Sequence, residues 1–87
     1  MLNKKQNPVE WAVWMTMLSE AHEHLGDLIK ELEGADEDFD IDFGVQLGHV
    51  YGHLNRAWNG RRNTKEIDDD TWEQYTKFPE DIILNFL

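Results

Sequence analysis

Cysteine is absent from this 87-residue chain. That removes disulfide frameworks, thiolate zinc sites and cysteine nucleophiles. No apolar run approaches the roughly 18 residues a membrane span needs, and no signal-peptide pattern opens the chain. The expected compartment is therefore the cytoplasm, with no membrane partner. Basic residues are scarce: 8 Lys and Arg stand against 18 Asp and Glu, a formal charge of −10. Phosphate contacts need a basic surface, so a general nucleic-acid binder is not expected. Hydroxyls are few as well. Ser19 and Thr16, Thr64, Thr71 and Thr76 have no readable base beside them, and phosphate-binding glycine loops, nucleophile elbows and HExxH are missing.

What is present favours a folded domain. Four Trp, four Phe and two Tyr compensate for the thin core of so short a chain. Asn7 reads as an N-cap, Pro8 as the first helical residue and Glu10 as a capping-box acid. Apolar residues then step by three and four: Trp11, Trp14, Leu18, Ala21, Leu25, Leu28 and Leu32, with Met15 and Ile29 widening the stripe. Gly34 is a natural stop. The pattern predicts a helix over about 8–33. Phe43, Leu47, Val50, Leu54 and Ala57 predict a second over about 41–59, ended by Asn59-Gly60. The short acidic connection between them makes them antiparallel neighbours. Facing residues should sum to 75, as in Leu32 with Phe43, Leu25 with Val50 and Leu18 with Ala57.

Beyond the hairpin, Asp70 or Thr71 could cap a helical segment through Trp72, Tyr75 and Phe78, and Pro79 opens a last apolar stretch. C-terminal helical segments are expected over about 71–86, packed across the hairpin. The expected fold is a single all-α domain: a long antiparallel two-helix hairpin completed by a short aromatic C-terminal helical region, a small three- to four-helix bundle.

Three features could carry function. His49 and His53 are four apart on the second helix, as are Glu20 and His24 on the first, so each pair shares a helix face. The register sets both pairs on one flank at one height. Glu20, His24, His49 and His53 could then form a His₃-carboxylate site for a transition metal such as zinc. Arg56, one turn beyond, opposes a bound cation. His22 should be a packed histidine beside the core, opposite Tyr51. Gly44, Gly48 and Gly52 recur every four residues and make a smooth face on the second helix. The chain's own tail or a second copy could cover it, so Gly48 and Gly52 are candidate partner-binding residues. Finally, Glu31, Glu33, Asp36, Glu37, Asp38, Asp40 and Asp42 gather at the hairpin tip. Arg56, Arg61, Arg62 and Lys65, with Lys4 and Lys5, gather at the other end. Asp36, Glu37 and Asp38 are candidate contacts for a basic partner, which such a field would steer. The Asp68-Asp69-Asp70 run reads as helix capping.

One motif pair carries an enzymatic resemblance. Glu20-x-x-Glu23, followed after thirteen residues by Glu37-x-x-Asp40, resembles the acidic pairs of MazG-type nucleotide pyrophosphohydrolases. The resemblance implies magnesium held by acids on packed helices. Here the second pair falls in the expected loop, outside that helical setting. The expectation is therefore a small acidic non-enzymatic protein-interaction module or regulator, such as a stoichiometric inhibitor of a basic partner. A helical metal-binding protein is the alternative.

Overall fold

A computed structural model describes residues 1–35 and 39–83. Three helices appear in chain order: α1 (Pro8–Glu33), α2 (Asp40–Asn59) and α3 (Asp69–Tyr75). The fold is all-α. The two long helices pack against each other as a hairpin, and α3 packs on α2. No helix of the described residues is long and apolar enough to cross a membrane.

The helix starts differ in detail from expectation. Pro8 opens α1 as expected, but the Asn7 side chain makes no cap hydrogen bond. The turn before it is organised instead by Asn3, whose Oδ1 accepts from the backbone N–H of Lys5 and Gln6. Gly34 ends α1, its N–H donating to Lys30 C=O. At α3 the cap is Asp68, one turn earlier than Thr71: its Oδ1 accepts from Thr71 N–H at 2.7 Å. That bond holds the Asp68 carboxyl below the usual carboxylate range.

The antiparallel register is close to the expected one. Trp14 Nε1 donates to Ala57 C=O at 2.7 Å, and Gln46 Nε2 donates to Glu31 Oε2 at 2.6 Å. His53 meets Glu20, and His24 meets His49 and His53. These pairs have index totals between 71 and 77, around the expected 75. The Trp14 bond also satisfies one of the last carbonyls of α2, which have no partner within a helix.

What differs is the face that α1 turns inward. Met17, Ala21 and Leu28 are buried, opposite Val50 and Ala57 of α2. Leu18, Leu25 and Leu32, expected in the seam, are substantially exposed. The apolar stripe of α1 is wider than one neighbouring helix can cover. At 3.6 residues per turn, the Met17–Ala21–Leu28 row and the Met15–Leu18–Leu25–Ile29 row lie about 80–100° apart. The hairpin buries the first and leaves the second open. His22 belongs to the open row and is exposed, not packed.

The C-terminal region also departs from the expected helix over 71–86. Helix α3 ends at Tyr75, and residues 76–83 are non-helical. Phe78 precedes Pro79, and a residue before proline is pushed out of the helical region. Side chains of α2 then take up the chain's carbonyls. Asn55 Nδ2 donates to Thr76 C=O at 2.9 Å, and Asn59 Nδ2 donates to Tyr75 and Lys77 C=O. These bonds seat α3 on the back of α2, and the tail beyond it reaches the edge of the apolar side: the Phe78 ring centre lies 6.5 Å from that of Tyr51, and Trp58 Nε1 donates to Asp81 Oδ1 at 2.9 Å. At the far end, Leu2 is buried and its N–H donates to Arg61 C=O at 2.7 Å, which ties the N-terminus to the end of α2.

Candidate functional site

The hairpin has two flat sides of opposite character. One side is apolar. From α1 it presents Met15, Leu18, Leu25, Ile29 and Leu32, with Trp11 at the end of the row. From α2 it presents Leu54, half-buried Phe43 and Leu47, and at its edge Tyr51 and Trp58, which Phe78 and Asp81 of the tail meet. The exposures are high for side chains of this size: Leu25 is 41% and Leu54 is 42% exposed. The row follows a 4-3-4-3-4-3 spacing from Trp11 through Met15, Leu18, His22, Leu25 and Ile29 to Leu32. That is a second heptad seam without an occupant among the described residues. The sequence signal was the widening of the stripe by Met15 and Ile29.

The other side is polar and holds the histidines. The four residues expected to converge there do meet. His24 stacks on His53 with ring centroids 5.2 Å apart and stands edge-on to His49 at 6.0 Å. Glu20 Oε2 lies 3.3 Å from His53 Nδ1. That nitrogen is buried and makes no hydrogen bond among the described residues. Burial pushes the His53 pKa below 6.5; Glu20 opposes that shift, and His24, Arg56 and His49 add to it. Yet no group of three or more His, Asp or Glu among the described residues is arranged to hold a metal ion. Parallel stacking keeps the His24 and His53 rings side by side, so their nitrogens do not aim at one point. Arg56, expected as a nearby cation, turns toward the tail: Nε donates to Thr76 Oγ1, and the guanidinium lies 5.0 Å from the Trp72 ring centre.

The glycine face is divided. Gly52 is buried, and a Cβ there would meet Thr76 Cγ2 at 3.6 Å, so the tail covers it. Gly44 and Gly48 are open, with nothing within 4 Å of a Cβ. Of the acidic tip, Asp36, Glu37 and Asp38 lie outside the described residues. Glu31 and Glu33 at the end of α1 and Asp40 and Asp42 at the start of α2 mark that end. Lys4, Lys5, Arg62 and Lys65 are exposed at the opposite end, where Leu2 joins Arg61. Arg61 itself lies 3.7 Å over the Trp58 ring and pairs with Asp81.

The hydrolase-like acids separate. Glu20 faces His53, whereas Asp40 begins α2 thirteen residues away, about 20 Å at 1.5 Å per residue. Glu37 lies outside the described residues. A further cleft of about 530 Å³ opens between the start of α1 and the approach to α3, lined by Val9, Val13, Trp14, Ile67 and Trp72 with Arg56 at its edge. Compared with protein families, curated proteins and solved structures, the chain matches none.

Proposed function

We propose that this protein is a small, acidic, non-enzymatic interaction module that docks through the apolar side of its hairpin. The observation that carries this reading is the exposed row Met15, Leu18, Leu25, Ile29 and Leu32 beside Leu54. Soluble monomers rarely leave contiguous apolar patches beyond about 300–600 Å² open to water, and larger ones mark binding surfaces. The acidic end adds steering toward a basic contact. Affinity capture with the wild type and with Leu25→Glu/Leu54→Glu tests it. A partner retained by the wild type and lost by the variant, with helicity intact, supports the module. An unchanged partner set overturns docking at this face.

A helical metal-binding protein is the second reading, favoured by the convergence of Glu20, His24, His49 and His53 and by the unbonded His53 nitrogen. Zinc would have to rotate the stacked rings apart. Titration with zinc should then raise the melting temperature, since a ligand of the folded state stabilises it. An unchanged melting temperature removes this reading.

A further inference from the structure

We propose that residues 78–83 form a strap over the α2 edge of the docking face, latched by Asp81 onto Trp58 and Arg61, and that lifting it uncovers Trp58 and Tyr51 as binding anchors. This rests on the docking reading above and adds the regulation of that face.

The tail is held at two places of unequal strength. Its first part is clamped to the back of α2, where Asn55 and Asn59 donate to the carbonyls of Tyr75, Thr76 and Lys77. Beyond that clamp the chain runs to the edge of the apolar side. Of residues 78–83, only Pro79 is buried. Asp81 Oδ1 accepts from Trp58 Nε1 at 2.9 Å, and Oδ2 lies 3.6 Å from Arg61 Nη2. Phe78 is exposed, with its ring centre 6.5 Å from that of Tyr51. Exposed ion pairs are weak because water competes for both partners. A stretch with few buried contacts and solvent-facing hydrogen bonds opens before the rest of a fold. The strap therefore lifts from a hinge at Lys77 while the asparagine clamp stays closed.

The receiving side of the latch stays formed when the strap leaves. The Arg61 guanidinium lies 3.7 Å from the Trp58 ring centre, and its Nη1 donates to Trp58 C=O at 2.7 Å. An indole N–H and a cation are thus held together on α2 for one carboxylate. The Asp81 carboxyl lies below the usual carboxylate range, first because the Trp58 indole donates to it, so the latch is charged at neutral pH.

Lifting changes what the face offers. Trp58 and Tyr51 border Leu54 on α2, and each aromatic adds about 150–250 Å² of contact area when buried. Tryptophan and tyrosine are also the side chains that most often anchor interfaces. A partner needing both must wait for the open form, so its apparent affinity is scaled by the open fraction.

Asp81→Ala removes both latch contacts from an exposed position. The latch is read by the Trp58 indole N–H signal in nuclear magnetic resonance, identified by its absence in Trp58→Phe. That signal should shift in Asp81→Ala and exchange faster with water. The face is read by the uncharged dye Nile red, whose fluorescence should rise in Asp81→Ala at unchanged helicity. Adding Leu25→Glu/Leu54→Glu should abolish the rise. If Asp81→Ala loses helicity, Phe78→Ala, which frees Tyr51, takes its place with the same expected rise. An unmoved Trp58 signal overturns the latch. A moved signal without a rise overturns the masking, as does a rise that survives the two glutamates. The docking reading fails separately, when the capture experiment returns the same partners for wild type and Leu25→Glu/Leu54→Glu.

Discussion

Leu25 and Leu28 occupy the same stripe of α1 three residues apart, and the fold assigns them opposite roles. Leu28 is 1% exposed. Truncation to alanine there loses transfer energy and leaves a cavity, about 2.7–5 kcal/mol for a buried leucine. An 87-residue domain holds about 4–13 kcal/mol in total at ordinary stability per residue. Leu28→Ala therefore removes about a fifth or more of it. At about 4–8 °C per kcal/mol, the melting temperature should fall by more than about 10 °C. Leu25→Ala in dilute protein should cost about 1 kcal/mol or less, since its side chain already meets water and no cavity closes over the site. Thermal melts followed by far-ultraviolet circular dichroism at low protein concentration measure both. Equal losses for the two variants would place both rows in the intrachain core and refute the open face.

Two further expectations concern the glycines and the histidine side. Gly48→Ala meets nothing within 4 Å in a helix interior, so it should stabilise by up to about 1 kcal/mol, whereas Gly60→Ala brings a Cβ to 2.9 Å from Arg56 O and should lower the melting temperature. A Gly48→Ala variant that loses stability instead would mean that the open glycines are in use. The folded-state pKa of His53 lies below 6.5, chiefly through burial, so the unfolded chain binds more protons in that window. Stability should be full above about pH 6.5 and decline as pH falls through the folded-state value. His53→Gln should remove that component from a melting temperature-versus-pH series; an identical acid slope would show that His24, His49 or the carboxylates set it instead.

Much of the architecture was legible in the residues. Pro8 and Gly34 bounded α1, Asn59-Gly60 bounded α2, and the short acidic connection set the antiparallel register. The register in turn brought Glu20, His24, His49 and His53 together, because i,i+4 spacing on each helix is fixed by 3.6 residues per turn. The choice of row was not legible. Periodicity identifies the apolar side of α1, but Leu25 and Leu28 fit it equally, and only the approach of Val50 and Ala57 distinguishes them. The end of α3 was hidden for another reason. Pro79 announces a stop near 78, but Asn55 and Asn59 claim the carbonyls of Tyr75, Thr76 and Lys77 from sixteen to twenty-one residues away and α3 ends at Tyr75. The Asn3 turn before α1 was masked by the plausible but unused cap at Asn7.

The two methionines of α1 report the rows side by side. Met15 is 38% exposed on the open row and Met17 is 7% exposed in the seam. Residue-resolved peroxide oxidation in dilute protein should convert Met15 much faster than Met17. Matching rates would contradict a hairpin with one buried and one open apolar row.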